Sequence, residues 1–283
     1  MKLVTYQSPR GPRAAALLDG RAFDVNHADA GIPACMKQWL AAGPDMLRRT
    51  AGAMAGAEPL PGDGLTFLPP VPNPEKIICV GLNYADHAKE GGFEPPPEPV
   101  IFNKFPSSVV ADGQPIVLPS VSQQVDYEAE LVVVIGRGGR NIGRSEAFEH
   151  VAAYCCGNDV SARDWQLGKA GGQWLLGKTF DTFAPFGPYL VTADEIPNPH
   201  TLRIRSRVNG RTMQDSTTAQ LLFPVDELIA YVSSVCTLVP GDLLYTGTPP
   251  GVGFARDPAV FLQPGDVVEI EIDGLGILRN PVV

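Results

Sequence analysis

Asp126-Tyr127-Glu128-Ala129-Glu130-Leu131-Val132-Val133-Val134-Ile135 is the segment from which the architecture of this 283-residue chain follows. Its second half is an apolar strand, and strand side chains alternate, so Glu128 and Glu130 share one face at the strand's start. Like charges that close repel unless a cation sits between them or one takes up a proton. An all-oxygen pair suits a hard divalent ion such as Mg²⁺ or Mn²⁺ better than zinc. A solvated strand end with two surface acids is the plain alternative, and the rest of the chain decides between them.

Outward from this strand lie other groups with chemistry to offer. His87 and Glu90 sit three apart on a stretch of helical character, so their side chains share a face and can meet. A carboxylate bonded to one imidazole nitrogen raises basicity at the other, as a general base requires; an ordinary exposed helical pair reads the same way. The Gly91-Gly92 pair and Pro95-Pro96-Pro97 follow, a segment with the makings of a lid. Asp159, in Asn158-Asp159-Val160-Ser161-Ala162-Arg163-Asp164, is a candidate third metal ligand or a helix cap, and Arg163 and Asp164 are expected to pair with each other. Lys178 follows an apolar run and suits an oxyanion or carboxylate, although such a lysine often snorkels to water.

Composition bounds the class. Hydrophobic residues make up 44% and charged residues 19%, ordinary for a globular protein, while 30 Gly and 28 Pro point to many turns and short strands. A net charge of −9 argues against nucleic acid or an anionic membrane as partner. The five cysteines show no metal-site spacing, and Cys155-Cys156 lies in an apolar stretch as buried free thiols. No signal-peptide run or bilayer-length apolar segment is present, so a cytoplasmic location is expected.

Along the chain, strands are expected at 2–6, 14–18 and 22–25, with a tight turn at Asp19-Gly20. A helical pattern covers 33–57, and a Pro-rich linker ends near residue 74. This places a small N-terminal α+β subdomain at 1–70 and the main domain at 71–283. The main domain is strand-rich, with strands including 115–118 and 130–136 and helices at 145–153 and 224–236, so a mixed-sheet roll outranks a doubly wound sheet. Gly247-Thr248-Pro249-Pro250-Gly251-Val252-Gly253 lacks the Gly-Lys-Ser/Thr ending of a phosphate loop. Gly136-Arg137-Gly138 meets Asn141 where a dinucleotide fingerprint needs glycine, and no Gly-x-Ser-x-Gly elbow is found.

Five ordered segments resemble the fumarylacetoacetate hydrolase superfamily, particularly its short acylpyruvase-like and domain-2-containing members. They are Gly81–His87, Asp126–Leu131, Asn158–Asp164, Lys178–Asp181 and Thr246–Gly253, and together they span residues 70–283. The resemblance implies an α+β fold with a mixed β-roll, usually a homodimer. It implies a Mg²⁺ or Mn²⁺ ion held by Glu128, Glu130 and Asp159, a His87–Glu90 dyad, and Lys178 contacting substrate. By position it implies Gln166, Thr248 and Lys104 as pocket residues. Where longer members carry a further Asp ligand, this chain reads Cys79-Val80-Gly81-Leu82, which favours the three-carboxylate group.

The function this implies is hydrolysis of a C–C bond in a small anionic oxo acid, a 2,4-diketo acid of acylpyruvate type, with His87 activating water and a metal-bound enolate leaving. Oxaloacetate decarboxylation, keto–enol tautomerisation and isomerisation of hydroxylated dienoic diacids pass through the same intermediate and stand as alternatives. An inactive ligand-binding homologue would show a gap in the ligand or base set, and the sequence has none. Residues 91–110 and 165–175 are expected to shape the distal pocket.

Overall fold

The computed structural model describes residues 1–283 except Asp63, Gly91, Phe93 and Gln173; the side chains of Ala88 and Lys89 are also left undescribed. Parts of the expected lid and of the 165–175 pocket segment therefore lie outside the described residues.

Ala129–Ile135 sits inside a mixed sheet of 11 strands. It is flanked by antiparallel partners on both sides, Val151–Asn158 and Leu243–Tyr245. Leu243–Tyr245 runs parallel to Ile77–Gly81, which pairs antiparallel with Val100–Lys104. In the other direction come Ala184–Thr192, Lys2–Ser8, Gly11–Leu18 and Arg21–Asp24. Asp19 and Gly20, both at positive φ, close the last hairpin. A second, antiparallel sheet of 4 strands holds Arg211–Thr217, Arg203–Val208, Val267–Ile272 and Gly276–Pro281 in that order.

Alternation along the central strand explains its composition. Leu131, Val133 and Ile135 join one apolar cluster with the helix Val225–Val235 and the four-stranded sheet. Val132 and Val134 join another, which includes Met36, Trp39 and Leu40 from the N-terminal helices. A strand buried on both faces must be apolar throughout, which is why this run has no polar alternation. The first 70 residues thus contribute strands to the same sheet and side chains to the same core.

The same logic corrects the expected helix at 145–153. A 3-10 turn spans Arg144–His150, and Val151–Asn158 is a central strand. Buried on both faces, it carries no period-two signal to tell it from a buried helix. Cys155 and Cys156 consequently point into opposite clusters. The 33–57 stretch divides into Met36–Ala41 and Pro44–Met54, because Gly43 at φ 72° and Pro44 interrupt it. Residues 115–118 form no strand; Ile116 makes a single bridge to Val282.

Sheet direction positions the site. Ala129–Ile135 begins where its antiparallel neighbours Val151–Asn158 and Leu243–Tyr245 end, and Glu130 lies across from Gly157. Ile77–Gly81, parallel to Leu243–Tyr245, ends on the same side. Residues 81–87, 128–130, 159 and 246–248 are therefore delivered to one end of the sheet.

Candidate active site

At that end Glu128, Glu130 and Asp159 are buried, with one carboxylate oxygen from each within 4.8 Å of the others. Backbone pairing sets this up: Asp159 N–H donates to Glu128 O at 2.9 Å, and Glu128 N–H donates to Asn158 Oδ1 at 2.9 Å. Gly247 N–H donates to Glu130 Oε2 at 2.7 Å and orients that carboxylate. Gly247 has φ 103°, and a Cβ there would stand 2.7 Å from Asn83 Cβ, so the contact requires glycine.

Among the described residues, three cations surround the acids. Lys178 Nζ donates to Glu128 Oε2 at 2.8 Å and to Asp159 Oδ2 at 2.9 Å. Arg163 Nη2 lies 2.7 Å from Glu128 Oε1 and 2.9 Å from Asp126 Oδ2. Lys104 Nζ approaches Asp159 Oδ1 to 2.6 Å. Burial pushes the Glu128 carboxyl up, but the Lys178 and Arg163 cations outweigh it and hold Glu128 well below the usual carboxylate range. Glu130 goes the other way: burial, with Asp159 and Glu128 beside it, drives its carboxyl well above that range.

A carboxylate that is buried, crowded by two others and, among the described residues, without a cation of its own is one that a metal ion would satisfy. Three convergent oxygens are a donor set for a hard divalent ion, so the residues present fit one. Charge leads to the same place. With every carboxyl ionised, Asp126, Glu128, Glu130 and Asp159 would outnumber the cations Lys104, Lys178 and Arg163 among the described residues by one negative charge. Such a state repels a dianion and pushes Glu130 toward its protonated form. A divalent ion reverses that sign.

The cavity beside the triad is lined by His87, Gln166, Thr248, Lys178, Arg163 and Glu128, with Trp174, Phe102 and Phe254 as apolar walls. The ring of Trp174 packs where a Gly81 Cβ would be, at 2.3 Å, so the chain passes this wall only as glycine. His87 is buried, and burial lowers its imidazole to about 4 despite Glu128 nearby, with Arg163 and Lys178 adding to the effect. Its ring is therefore a neutral proton acceptor at physiological pH.

Two placements differ from expectation. His87 and Glu90 are not hydrogen-bonded: Glu90 Oε2 accepts from Gly251 N at 2.7 Å, while His87 Nδ1 and Glu90 Oε1 are each buried without a partner. Lys104 does not line the cavity. At 1% exposure it is enclosed behind Asp159, where it donates to backbone carbonyls.

Arg163 is the site residue whose partner the sequence misassigned. Its expected partner Asp164 instead accepts from Ser122 Oγ and Gln123 N–H. Arg163 reaches Asp126, Glu128 and, through Nη1, Gln166 Oε1 at 2.9 Å. Asp126 also accepts from Gly253 N at 2.7 Å and Phe254 N at 3.0 Å, tying the Gly-rich loop to Arg163. Asp126 falls on the same period-two pattern as Glu128 and Glu130, the one signal that pointed to it.

Comparison with known proteins bears on this site. Residues 76–283 match the family model described as fumarylacetoacetate (FAA) hydrolase C-terminal. The chain is 50% identical to "Oxaloacetate tautomerase fahd2, mitochondrial" of Xenopus laevis, over an alignment covering 100% of this chain and 90% of that relative. It superposes on a putative HpcE protein from Mycobacterium smegmatis with TM-score 0.89 and 38% identity, covering 100% and 99% of the two chains. Maleylpyruvate hydrolase from Sphingobium sp. SYK-6, solved with manganese(II) ion and pyruvate, aligns with TM-score 0.83 and 29% identity, over 100% of this chain and 99% of that one.

The Xenopus relative and its bovine and human counterparts are named as mitochondrial, which overturns the expectation of a cytoplasmic location. No helix among the described residues is long and apolar enough to cross a membrane. The family match takes in the triad, His87, Lys178 and the Gly-rich loop, and the Xenopus relative aligns with the full chain: the protein belongs to the fumarylacetoacetate hydrolase superfamily of enzymes.

Proposed function

We propose that the protein interconverts the enol and keto forms of oxaloacetate, at a site that holds Mg²⁺ or Mn²⁺ on Glu128, Glu130 and Asp159. The observation that carries this reading over hydrolysis is the state of His87. Hydrolysis asks a base to take a proton from water. A buried imidazole with no carboxylate bonded to Nδ1 lacks the partner that raises basicity for that task. It is adequate for moving a proton already acidified by a neighbouring oxo group. The name of the Xenopus relative supports the same choice, and the manganese(II) and pyruvate in the Sphingobium enzyme support a hard ion beside a 2-oxo acid.

When bound, the ion polarises the 2-oxo group and lowers the barrier to proton exchange at C3. The chain's own residues do the rest. Lys178 spends two N–H groups on Glu128 and Asp159 and has the third for the substrate oxygen that gains charge. Arg163, beside Gln166, faces the cavity as the partner for the distal carboxylate. A carboxylate held in charge-assisted hydrogen bonds is stabilised where it stands, which favours proton transfer over loss of CO₂. Thr248 Oγ1 accepts from Gln214 Nε2 at 2.7 Å, so its own proton is free for substrate. His87, through Nε2, takes the enol O–H proton and returns it at C3, ending neutral as it began. Across this cycle no water is consumed.

The test follows decay of the enol by its ultraviolet absorbance in Mg²⁺ or Mn²⁺ buffer, with product analysis by NMR. Enol decay accelerated by the protein, with neither pyruvate nor CO₂ formed, is the expected result. Faster cleavage of acylpyruvates to pyruvate plus a second acid would replace this reading with hydrolysis, and pyruvate from oxaloacetate would replace it with decarboxylation.

A further inference from the structure

The geometry points to Lys104 as a positioning residue whose ammonium serves as a tethered monovalent cation seating Asp159 for the divalent ion. Lys104 ends the strand Val100–Lys104, and its Nζ is enclosed by four oxygens from four residues, two of them adjacent in the chain. It donates to Val160 O at 2.9 Å, Lys178 O at 2.5 Å and Phe183 O at 2.7 Å. Those bonds use all three of its protons. The fourth oxygen, Asp159 Oδ1, lies 2.6 Å from Nζ as an ion-pair contact, one more acceptor than the ammonium has protons. An ammonium ringed by carbonyl and carboxylate oxygens has the surroundings of a bound alkali or ammonium ion rather than those of a directed donor.

What this cation touches gives it a role. Val160 directly follows Asp159, and Lys178 is the residue whose side chain bridges Glu128 and Asp159. Phe183 leads into the strand Ala184–Thr192. One ammonium therefore fixes the backbone beside a proposed metal ligand, the backbone of the lysine that contacts it, and one oxygen of the ligand itself. With Lys178 on Oδ2 and Lys104 on Oδ1, the Asp159 carboxylate has no rotational freedom left. Partners that orient ligands in this way commonly account for 10–100-fold in metal affinity. A plain charge effect has the opposite sign, since a cation beside a metal ligand repels the incoming ion. The two roles are thus separable by the direction of one measurement.

This inference rests on the reading of Glu128, Glu130 and Asp159 as an ion site, so the experiment reads Mn²⁺ binding without turnover, by the electron spin resonance of free Mn²⁺. Lys104→Met, neutral and similar in bulk, is expected to weaken Mn²⁺ binding about 10–100-fold at temperatures where the variant is folded. Lys104→Ala should bind as weakly and recover with n-propylammonium, which replaces the three missing carbons and the charge, but not with n-propanol. Wild type and Lys104→Met, having no space to fill, should not respond to the amine. If Lys104→Ala is insoluble alone, it should refold with n-propylammonium present, and failure to recover under any of these conditions overturns the proposal. So does a Lys104→Met protein that binds Mn²⁺ as well as or more tightly than wild type. Wild type that binds no Mn²⁺ instead sinks the ion-site reading beneath it.

Discussion

Lys178 Nζ donates to Glu128 Oε2 at 2.8 Å, so the ammonium meets a carboxylate that the ion would also claim. Burial alone would strip this lysine of its proton, but Asp159 and Glu128 outweigh it and raise Lys178 above its ordinary value. The ammonium is held in its charged form, and its place is between two of the proposed ligands. Lys178→Met should lower kcat for enol decay on the order of 10²–10³-fold, as expected for loss of a donor to developing charge. Mn²⁺ affinity should change less than in Lys104→Met, because loss of a repelling charge offsets loss of the contact that orients Asp159. Calorimetric Mn²⁺ titration beside the rate assay checks both halves, and loss of Mn²⁺ binding would make Lys178 a scaffold instead.

Glu130 separates stability from ion binding. Its carboxyl is pushed well above the usual range, so the metal-free fold favours its protonated form. Glu130→Gln mimics that form, and Gln still has an oxygen for Gly247 N–H. Thermal unfolding of the metal-free variant should match or exceed wild type, while Mn²⁺ affinity falls on the order of 100-fold as a charged ligand is lost. A large drop in metal-free melting temperature contradicts this.

His87 predicts a pH profile. Burial depresses its pKa to about 4, and the neutral form is the one that accepts a proton, so activity is lost as pH falls through about 4 rather than through the ordinary histidine value of 6.5. Measured kcat/KM should therefore stay level on the acid side between pH 5.5 and 7, roughly the interval in which an unperturbed histidine titrates. His87→Asn should reduce the rate about 10²–10⁴-fold with Mn²⁺ binding intact. An acid limb near pH 6.5 that vanishes in His87→Asn would show that the ring is not desolvated as described.

Asp24 offers a stability test remote from the site. Burial raises its carboxyl, but hydrogen bonds from Arg13, Tyr6 and His27 N–H prevail and hold it below its ordinary 3.8. A depressed carboxyl contributes stability that is present above the unfolded pKa and lost as pH falls through the folded one. Asp24→Asn should cost roughly 2 kcal/mol at pH 7, the scale of charge-assisted hydrogen bonds. The penalty should shrink as pH drops below 4, which urea unfolding at several pH values will show. A penalty independent of pH points to packing instead.

Much of the site was readable because its residues obey short-range rules. Glu130 lies at the start of the strand Ala129–Ile135 and Glu128 two residues before it, and Asp159 and Lys178 fall in polar segments bordering apolar ones. Glu130 was readable as a ligand candidate, yet its difference from Glu128 was not: Lys178 and Arg163 reach Glu128, while no ion pair to Glu130 is found among the described residues. Arg163 illustrates the limit, since adjacency suggested Asp164 while the folded chain offers the deeper pair Asp126 and Glu128. Strand 151–158 failed for a related reason, because burial on two faces erases the alternation that marks a strand.

What the linear chain determined by itself is the set of chemical groups and the apolar strand that carries them, because alternation and turn chemistry act over a few residues. Only the tertiary structure decided that Glu128 pairs with Lys178 and Arg163, that Lys104 meets Asp159 rather than lining the cavity, and that His87 and Glu90 are not hydrogen-bonded. Those outcomes depend on strand direction, which brings the start of one strand beside the end of its neighbours, and on burial, which sets how strongly each charge is felt. Neither is encoded in spacing along the sequence.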